Sequence, residues 1–514
     1  MPDRTYSAGQ PRDPLEVTVK TGPVHDYKRP DMSWRDHLVM MLTSGAEIEH
    51  ALMVQYLFAA YSINGDQESE EHRAMVEGWR TSILTVAKEE MGHLLTVQNV
   101  LVLLGAPINL GREMMPWDHV FYPFKFSLEA LSKQRLQCFI YAEMPRLETA
   151  ETDSVGKSVP QAVNKQTTID EEKAIIHEVM DAFPSAEMHQ IGELYAEIID
   201  LIGDPKRIPD SVFNEASYDM QAAWDDWGRG YKPVPRTVTP DGNLDPHAEG
   251  GSGEPRSPFP NPLAGRAAHV QIDRAATRAQ AVKALRALAA QGEAPHLKED
   301  ETGEPSHFER FAQIYKDFKD IEKGQLSIKP THDVRPNPTT RVDFHKLHPD
   351  ATSYIGTADD ELAAHYLAQL FNQRYRLLLT HLAHTFRLAR NQPIDRPNTR
   401  GMVMHRVFGE MYNLKAIAGL LVRLPIAGGG SAGPPFEMPY SLDLPQADRD
   451  IWRLYEDLLA NSSRTCRDVF RVADVFSVVR QQITGIGADA YLRSLMDLDS
   501  QTQQWIAKVI AGAA

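Results

Sequence analysis

Apolar residues recur at helical spacing over most of the chain. The stretches 34–63 and 79–104 are mostly apolar and free of proline, and their length and their content of Ala, Leu and Met favour helices over strands. Gly105 and Pro107 follow the second stretch and would end its helix. Alternation of apolar and polar residues, which marks a half-exposed strand, is scarce, so the sequence predicts an all-α fold. Further helical patterns cover 168–202, 273–291, 305–323 and most of 359–514.

Segments rich in proline, glycine and polar residues separate the helical stretches. Residues 228–265 include GGSGEPRSPFPNPLAG, which predicts a long loop that either wraps the domain or is mobile. The stretch QCFIYAEMP, at 137–145, fits a helix or a short strand. The predicted organisation is an N-terminal arm at 1–33, a helical domain at 34–325, a linker at 326–358 and a C-terminal helical domain at 359–514.

The composition is that of a folded, acidic protein. Of the 514 residues, 42% are hydrophobic and 24% are charged, which is enough to bury a large core. The 70 acidic residues outnumber the 54 basic ones, and the net charge of -16 argues against nucleic acid or an anionic membrane as a partner. Two cysteines cannot build a disulfide framework, and no apolar run reaches the ~18 residues of a membrane span. The N-terminus is polar and broken by proline, unlike a signal peptide, so we expect a cytoplasmic protein.

Acidic residues occupy helix positions whose neighbours are apolar. Glu90 has only apolar residues at helical spacing, and His93 lies on the same helix face. Glu89 instead shares a stripe with small and polar residues and is expected to be solvated. An unpartnered buried carboxylate costs on the order of several kcal/mol. The pair Glu90-x-x-His93 therefore indicates a metal ion that compensates the buried charge.

Similar patterns occur elsewhere in the chain. Glu49 lies among apolar residues of the 34–63 helix and is preferred to Glu47 as its buried acid. Glu304 and His307 form a second E-x-x-H pair at the start of a late helix. Two such pairs, with single glutamates on two other helices, are the ligand set of carboxylate-bridged dimetal bundles. The alternative is a buried polar cluster in which these acids and histidines pair with an arginine or with each other.

The glutamate of the third helical region is harder to choose. Periodicity places Glu193 nearly opposite the apolar face of its helix, so it is a ligand only if that helix is covered on both sides. Glu197, one turn further on, is the alternative. Glu293 follows the 273–291 helix, where the helix dipole disfavours an acid and so invites a cation or a basic partner. An exposed glutamate without a function is the other interpretation of Glu293.

Several motifs together resemble a known family. AEIEHALMVQYLFAAYSI, VAKEEMGHLLTVQNVLVLLGAP, IGELY, LAAQGEAP, SHFERF and AGPPFE are similar to segments of the ferritin-like proteins related to iminophenylpyruvate dimer synthase of the violacein pathway. The resemblance covers roughly 34–325, with fainter similarity in 360–440. It implies a ferritin-like four-helix bundle with long inserted loops, an additional C-terminal helical region and a role in oxidative specialised metabolism. The metal ligands that it implies, position by position, are Glu49, Glu90, His93, Glu193, Glu304 and His307, with Glu293 as an alternative to Glu304.

These residues predict an enzyme that uses two transition-metal ions, with iron expected, and dioxygen to oxidise a small organic molecule. The substrate would be aromatic or derived from an amino acid. Tyr56 would line the cavity, either as packing or as a residue for radical chemistry. The expected ligand roles are bridging for Glu90 and a glutamate of the late helix, one metal each for His93 and His307, and terminal positions for Glu49 and Glu193.

Other functions stay open at this point. The resemblance also implies a dimer synthase that joins two imino acids, with the metal structural. A different class is a non-catalytic metal-binding or structural ferritin-like protein. A haem held by a single histidine, a homo-oligomer and the identity of an electron donor are likewise left open by the sequence.

Overall fold

The described part of the chain is built from helices joined by turns and loops. A computed structural model describes residues 31–114, 122, 124–144, 149–150, 159–160, 166–183, 191–223, 270–293, 305–388 and 400–512. The all-α class predicted from the sequence is confirmed. The predicted loop at 228–265 and nearly all of the predicted arm at 1–33 lie outside the described residues.

The elements are labelled in chain order. The helices are α1 (Trp34–Ser62), α2 (Glu70–Leu103), α3 (Lys133–Glu143), α4 (Gln166–Ala182), α5 (Ile191–Gly203), α6 (Arg278–Glu293), α7 (His307–Glu322), α8 (Val342–Leu347), α9 (Leu362–Thr385), α10 (Arg400–Leu421), α11 (Asp448–Val475), α12 (Ser477–Gly485) and α13 (Ala488–Ile510). Strand β1 (Thr149–Ala150) pairs antiparallel with β2 (Val159–Pro160), and β3 (Pro338–Thr339) pairs parallel with β4 (Ser353–Tyr354). Strands β3 and β4 and helix α8 lie within the stretch 326–358, which the sequence predicted as a linker.

Two helix boundaries show what apolar spacing misses. Helix α2 begins at Glu70 rather than Trp79, because Ser69 caps it by accepting a hydrogen bond from the His72 backbone N–H at 3.0 Å. The first turns of α2 are polar and largely exposed, so they carry no apolar stripe. The ambiguous stretch at 137–145 belongs mainly to helix α3, which Ser132 caps.

Helices α1 and α2 form the centre of the N-terminal half. Helix α1 packs along α2 and also contacts α5, while α6 and α7 pack against α2 and α3 packs against α7. Apolar side chains from these helices, such as Leu42, Val86 and Phe311, are fully buried between them. Both α1 and α2 are therefore covered on more than one side, which buries residues well outside a single apolar stripe.

The C-terminal helices form a second group on the same core. Helix α9 packs against α10 and α11, and α11 packs against α13. Arg374 lies at their centre and binds Glu410 and Asp499 at 2.5 and 2.7 Å. The apolar cluster continues from the N-terminal helices into this group. Among the described helices, none has an apolar stretch long enough to cross a membrane.

A glycine on α2 allows a loop to lie against the helix. A Cβ at Gly92 would stand 2.5 Å from the backbone oxygen of Gln271, which is closer than Cβ atoms approach other heavy atoms in proteins. The same loop is held by Thr96, whose hydroxyl accepts a hydrogen bond from the Asp273 backbone N–H at 3.2 Å. This loop leads into α6, so Gly92 fixes the position of α6 relative to α2.

Gly92→Ala is expected to destabilise the protein by about 1–3 kcal/mol, because the backbone of the 270–273 loop must move away from α2. Gly409→Ala on α10 is the matched control, since nothing lies within 4 Å of a Cβ there. That control is expected to stabilise the protein by about 0.5–1 kcal/mol through helix propensity. Denaturant unfolding of both variants measures this. Equal effects of the two substitutions would contradict the packing described here.

Candidate metal centre

Three glutamates and two histidines meet inside the N-terminal helices. Glu49, Glu90 and His93 form one group and Glu90, Glu143 and His307 a second, and in each group the nearest donor atoms all lie within 4.8 Å of one another. All five side chains are buried. Glu90 belongs to both groups, so its two carboxylate oxygens can serve two neighbouring ions.

Four helices supply these side chains. Glu49 comes from the middle of α1, Glu90 and His93 from one face of α2, and Glu143 from the last residue of α3. His307 is the first residue of α7, whose N-terminus is fixed by a capping box between Ser306 and Glu309. Each donor therefore sits on a helix rather than on a free loop, which holds the group rigidly.

In the first group, the histidine turns one nitrogen to the acids. His93 Nδ1 lies 3.1 Å from Glu90 Oε2 and 3.6 Å from Glu49 Oε2. Its other nitrogen, Nε2, lies 3.0 Å from the side-chain oxygen of Gln291. Because that oxygen can only accept, the Nε2 proton donates to Gln291, and in the neutral ring Nδ1 carries the free lone pair.

The second group repeats this arrangement. His307 Nδ1 lies 2.8 Å from Glu90 Oε1 and 3.6 Å from Glu143 Oε2, yet it makes no hydrogen bond of good geometry. His307 Nε2 lies 3.1 Å from Glu89 Oε2, and the other Glu89 oxygen lies 3.8 Å from the Arg310 guanidinium. Glu89 thus orients the His307 ring from behind, as carboxylates commonly do for metal-binding histidines.

Two buried tyrosines hold the outer carboxylates. The Tyr195 hydroxyl donates to Glu49, and the Tyr56 hydroxyl donates to Glu143. Burial, together with the charge of Glu143, raises the pKa of Tyr56 well above its ordinary value, so the hydroxyl stays a proton donor.

The charges at the centre shift one another strongly. Burial and the neighbouring Glu90 raise the pKa of Glu49 to about 8. Burial alone would lower the pKa of His93, but Glu90 and Glu49 raise it to about 10. Burial also opposes ionisation of Glu90, yet His307 and His93 hold the pKa of Glu90 well below its usual range. Protons on the histidines thus offset the buried acids, and a metal cation would replace those protons.

A small pocket adjoins the first group and reaches the second. Its apolar walls come from α1, α5 and α6, and Gly292 on α6 leaves space beside Glu143, because a Cβ there would stand 3.1 Å from the carboxylate. The pocket contains about 250 Å³ between the lining atoms out to its mouth. Its lining residues are Glu49, Leu52, Glu90, His93, Glu143, Ile191, Tyr195, Leu288, Ala289 and Gly292.

Comparison with known proteins agrees with this architecture. Residues 42–239 match the family model described as Ferritin-like. This part of the chain is similar to ferritin-like domains. A dichlorochromopyrrolate synthase from Lentzea aerocolonigenes is 27% identical over 480 residues, which cover 86% of this chain and 40% of that protein. A 2-imino-3-(indol-3-yl)propanoate dimerase from Chromobacterium violaceum is 30% identical over 142 residues, which cover 23% of this chain and 14% of the dimerase.

The ferritin-like resemblance inferred from the sequence motifs is thereby confirmed, including its link to the violacein-pathway type. The chain spans less than half the length of the curated relatives that it matches. Both relatives carry names of biosynthetic enzymes that make or join small molecules. No solved structure matches the chain at a significant level.

The structure brings four of the predicted ligands of this ferritin-like domain together, namely Glu49, Glu90, His93 and His307. Glu304 lies outside the described residues, and so do the side chains of Glu193 and Glu293, although their backbone belongs to α5 and α6. Glu197, the alternative to Glu193, is exposed. The assignment of these residues as metal ligands stays a prediction, both for the four that lie together and for the others.

Two residues differ from the sequence analysis. Glu89 was expected to be solvated, but it is 1% exposed and binds His307, because α7 covers the side of α2 that carries its polar stripe. Glu143 was missed altogether. The available signal was an acid between Ala142 and Met144 in an otherwise apolar stretch, but that stretch could not be assigned to a helix, so its faces could not be read.

The metal-free protein is expected to lose stability as the pH rises. Glu90 and Glu49 raise the pKa of His93 to about 10 in the folded chain, against about 6.5 for an ordinary histidine. The stabilisation that protonated His93 gives the fold is therefore complete below about pH 6.5 and is lost as the pH approaches 10. The unfolding free energies of chelator-treated wild type and His93→Gln should therefore converge by on the order of 2 kcal/mol over this range. Urea unfolding at several pH values measures the difference. A difference that grows with pH would contradict the charge arrangement.

Proposed function

We propose that this ferritin-like protein is a dimetal enzyme that oxidises a small, amino-acid-derived organic molecule with dioxygen. The observation that carries the proposal is the pair of buried groups that share Glu90. Their three carboxylates and two imidazoles are the donor types that iron and manganese accept in helical bundles. Two transition-metal ions, with iron the expected element, would supply the redox chemistry when bound.

The residues fit such a pair of ions. With both histidines neutral, the three acids place three negative charges in an apolar interior, which strongly favours cations. His307 Nδ1 is buried and has no hydrogen bond that would occupy its lone pair. Gly292 keeps the space beside Glu143 free of a side chain. Glu49 and His93 would hold one ion, Glu143 and His307 the other, and Glu90 would bridge them.

The residues around the two groups hold the proposed metal ligands in position. Glu89 and Gln291 hold the two imidazoles from behind, and Tyr195 and Tyr56 hold the two outer carboxylates, so little reorganisation accompanies binding. Leu52 and Leu288 help to keep water away from the acids on the pocket side. Tyr56 touches a ligand carboxylate and not the pocket, so we propose that it positions Glu143.

The proposed class of substrate is inferred from the names of the two relatives. One is named for a chromopyrrolate product and the other for dimerisation of a 2-imino acid that carries an indole. We propose a substrate of the same chemical kind, a 2-imino or 2-oxo acid with an aromatic side chain. The apolar walls of the pocket suit such a side chain.

A second candidate is the coupling of two imino acids into a dimer, which the name of the second relative favours. Forming a carbon–carbon bond between two such molecules removes two electrons and two protons. Coupling therefore also needs an electron acceptor, and it differs from oxygenation in that no oxygen atom enters the product.

Purified protein is expected to contain close to two transition-metal ions per chain by elemental analysis. Glu90→Ala should lose both ions, because Glu90 contacts both groups, whereas His307→Ala should lose at least one. Glu47→Ala is the matched control on α1, since Glu47 lies outside both groups and binds Asn109 at 3.0 Å. Full metal content after both Glu90→Ala and His307→Ala would rule out the proposed ligands.

An oxygen test separates the two candidates. The protein is mixed with freshly generated 2-imino-3-(indol-3-yl)propanoate under air, under ¹⁸O₂ and without oxygen. Oxygenation is expected to give a product that carries ¹⁸O and to stop without oxygen. An unlabelled dimer would support coupling, and its formation without oxygen but with another electron acceptor would exclude dioxygen as a required substrate. Unchanged imino acid under every condition would reject both candidates.

A further inference from the structure

A second pocket lies where loops of the N-terminal half meet residues that precede and follow the C-terminal helix α9. It opens between the loop after α2, the β3–β4 pair and the loop before α11. The residues that matter here are Arg112, Phe126, Leu128, Asn337, Phe344 and Phe436, all of which line it. The enclosed part is narrow, and the whole space out to the mouth is about 290 Å³.

Arg112 places a positive charge at the wall of this apolar pocket. The side chain is 7% exposed, and its guanidinium donates to the backbone oxygens of Phe436 and Glu113. It also lies beside the Tyr375 hydroxyl. All these partners are neutral, and its Nε has no hydrogen bond. The guanidinium also lies over the Phe126 ring, 4.8 Å from its centroid. Among the described residues Arg112 has these neutral partners and no ion pair with a carboxylate, so an anion that enters the pocket could pair with it.

The nearby carboxylate does not fill this role. Glu437 follows Phe436 in the chain, but it accepts hydrogen bonds from Thr339, Thr340 and Asn372. These donors use both of its oxygens. At the rim, Arg341 pairs with Asp343 at 3.3 Å, and both side chains are exposed. In the part of the chain that the structure describes, Arg112 is therefore the cation of this pocket that has no carboxylate partner.

The backbone around Arg112 is strained. Among the described residues, Asn337 and Phe436 are the non-glycine residues with positive φ, at 46° and 48°, and both line this pocket. Asparagine tolerates this conformation, but a bulky aromatic residue rarely adopts it. Phe436 is held there by edge contacts with Tyr375 and Phe371 at ring distances of 5.3 and 4.7 Å. Strain of this kind persists where a ligand site needs a particular backbone position.

We propose that this pocket binds a small monocarboxylate with an aromatic or apolar body. The carboxylate enters the narrow inner part and pairs with Arg112, and the body lies in the mouth against the half-buried side chains of Phe344 and Met114. Arginine suits a carboxylate because its guanidinium offers directed donors that carry charge. This pocket is distinct from the one at the proposed metal centre, because the two have no lining residue in common.

Titration calorimetry with phenylacetate and with phenylacetamide, its neutral counterpart of the same shape, tests the proposal on the full chain. Phenylacetate is expected to bind at least about tenfold more tightly than the amide, since only the acid forms a charged pair with Arg112. Arg112→Gln should weaken phenylacetate binding by about tenfold or more. Arg376→Gln, which changes a guanidinium bound to Tyr440 outside the pocket, should bind as wild type does.

A second variant covers the case in which Arg112→Gln does not fold. Phe344→Ala keeps the cation and removes the aromatic wall at the mouth, so it should weaken phenylacetate binding and leave acetate binding unchanged. Equal binding of acid and amide, or no binding of either, overturns the proposal. So does phenylacetate binding that survives Arg112→Gln and disappears in Glu90→Ala, because the acid would then bind at the metal centre.

Discussion

Three carboxylates buried in a helical interior form the constraint on which the rest of the structure depends. Glu49, Glu90 and Glu143 come from different helices, are almost fully buried and lie close to two imidazoles. Their mutual repulsion and the loss of hydration would destabilise the fold unless positive charge balances them. Protonated histidines can supply part of that balance, and metal cations can supply all of it. The interior is thus organised around a charge requirement and not around apolar packing alone.

The helices around this cluster are adapted to it in specific places. Gly92 lets the 270–273 loop approach α2, and that loop leads into α6, which carries Gln291 and Gly292 to the site. Glu89 reaches His307 from the side of α2 that faces α7. Each histidine of the cluster therefore has a neighbour that fixes its ring. A centre held in this way changes little when its charge changes, which suits a site for redox chemistry.

Much of the fold and part of the site could be predicted from the sequence. Glu49 and Glu90 stand out because apolar residues surround them at helical spacing, and the E-x-x-H spacing links Glu90 to His93. Glu89 could not be placed in this way, because periodicity assumes one buried face and α2 is covered on several. Glu143 could not be predicted as a site residue because its helix is short and begins with polar residues. The first residue of α2 was not predicted correctly, because a capping serine and not an apolar stripe defines the start of this helix.

Anomalous diffraction from crystals grown with iron or manganese tests the central claim most directly. We expect two anomalous peaks, one beside Glu49 and His93 and one beside Glu143 and His307, with Glu90 between them. The contradicting result is a metal-supplied crystal without a peak at either position, in which the three acids contact only protonated histidines and arginine. In that case the acids would form a structural polar cluster, and the helical bundle would have no metal centre.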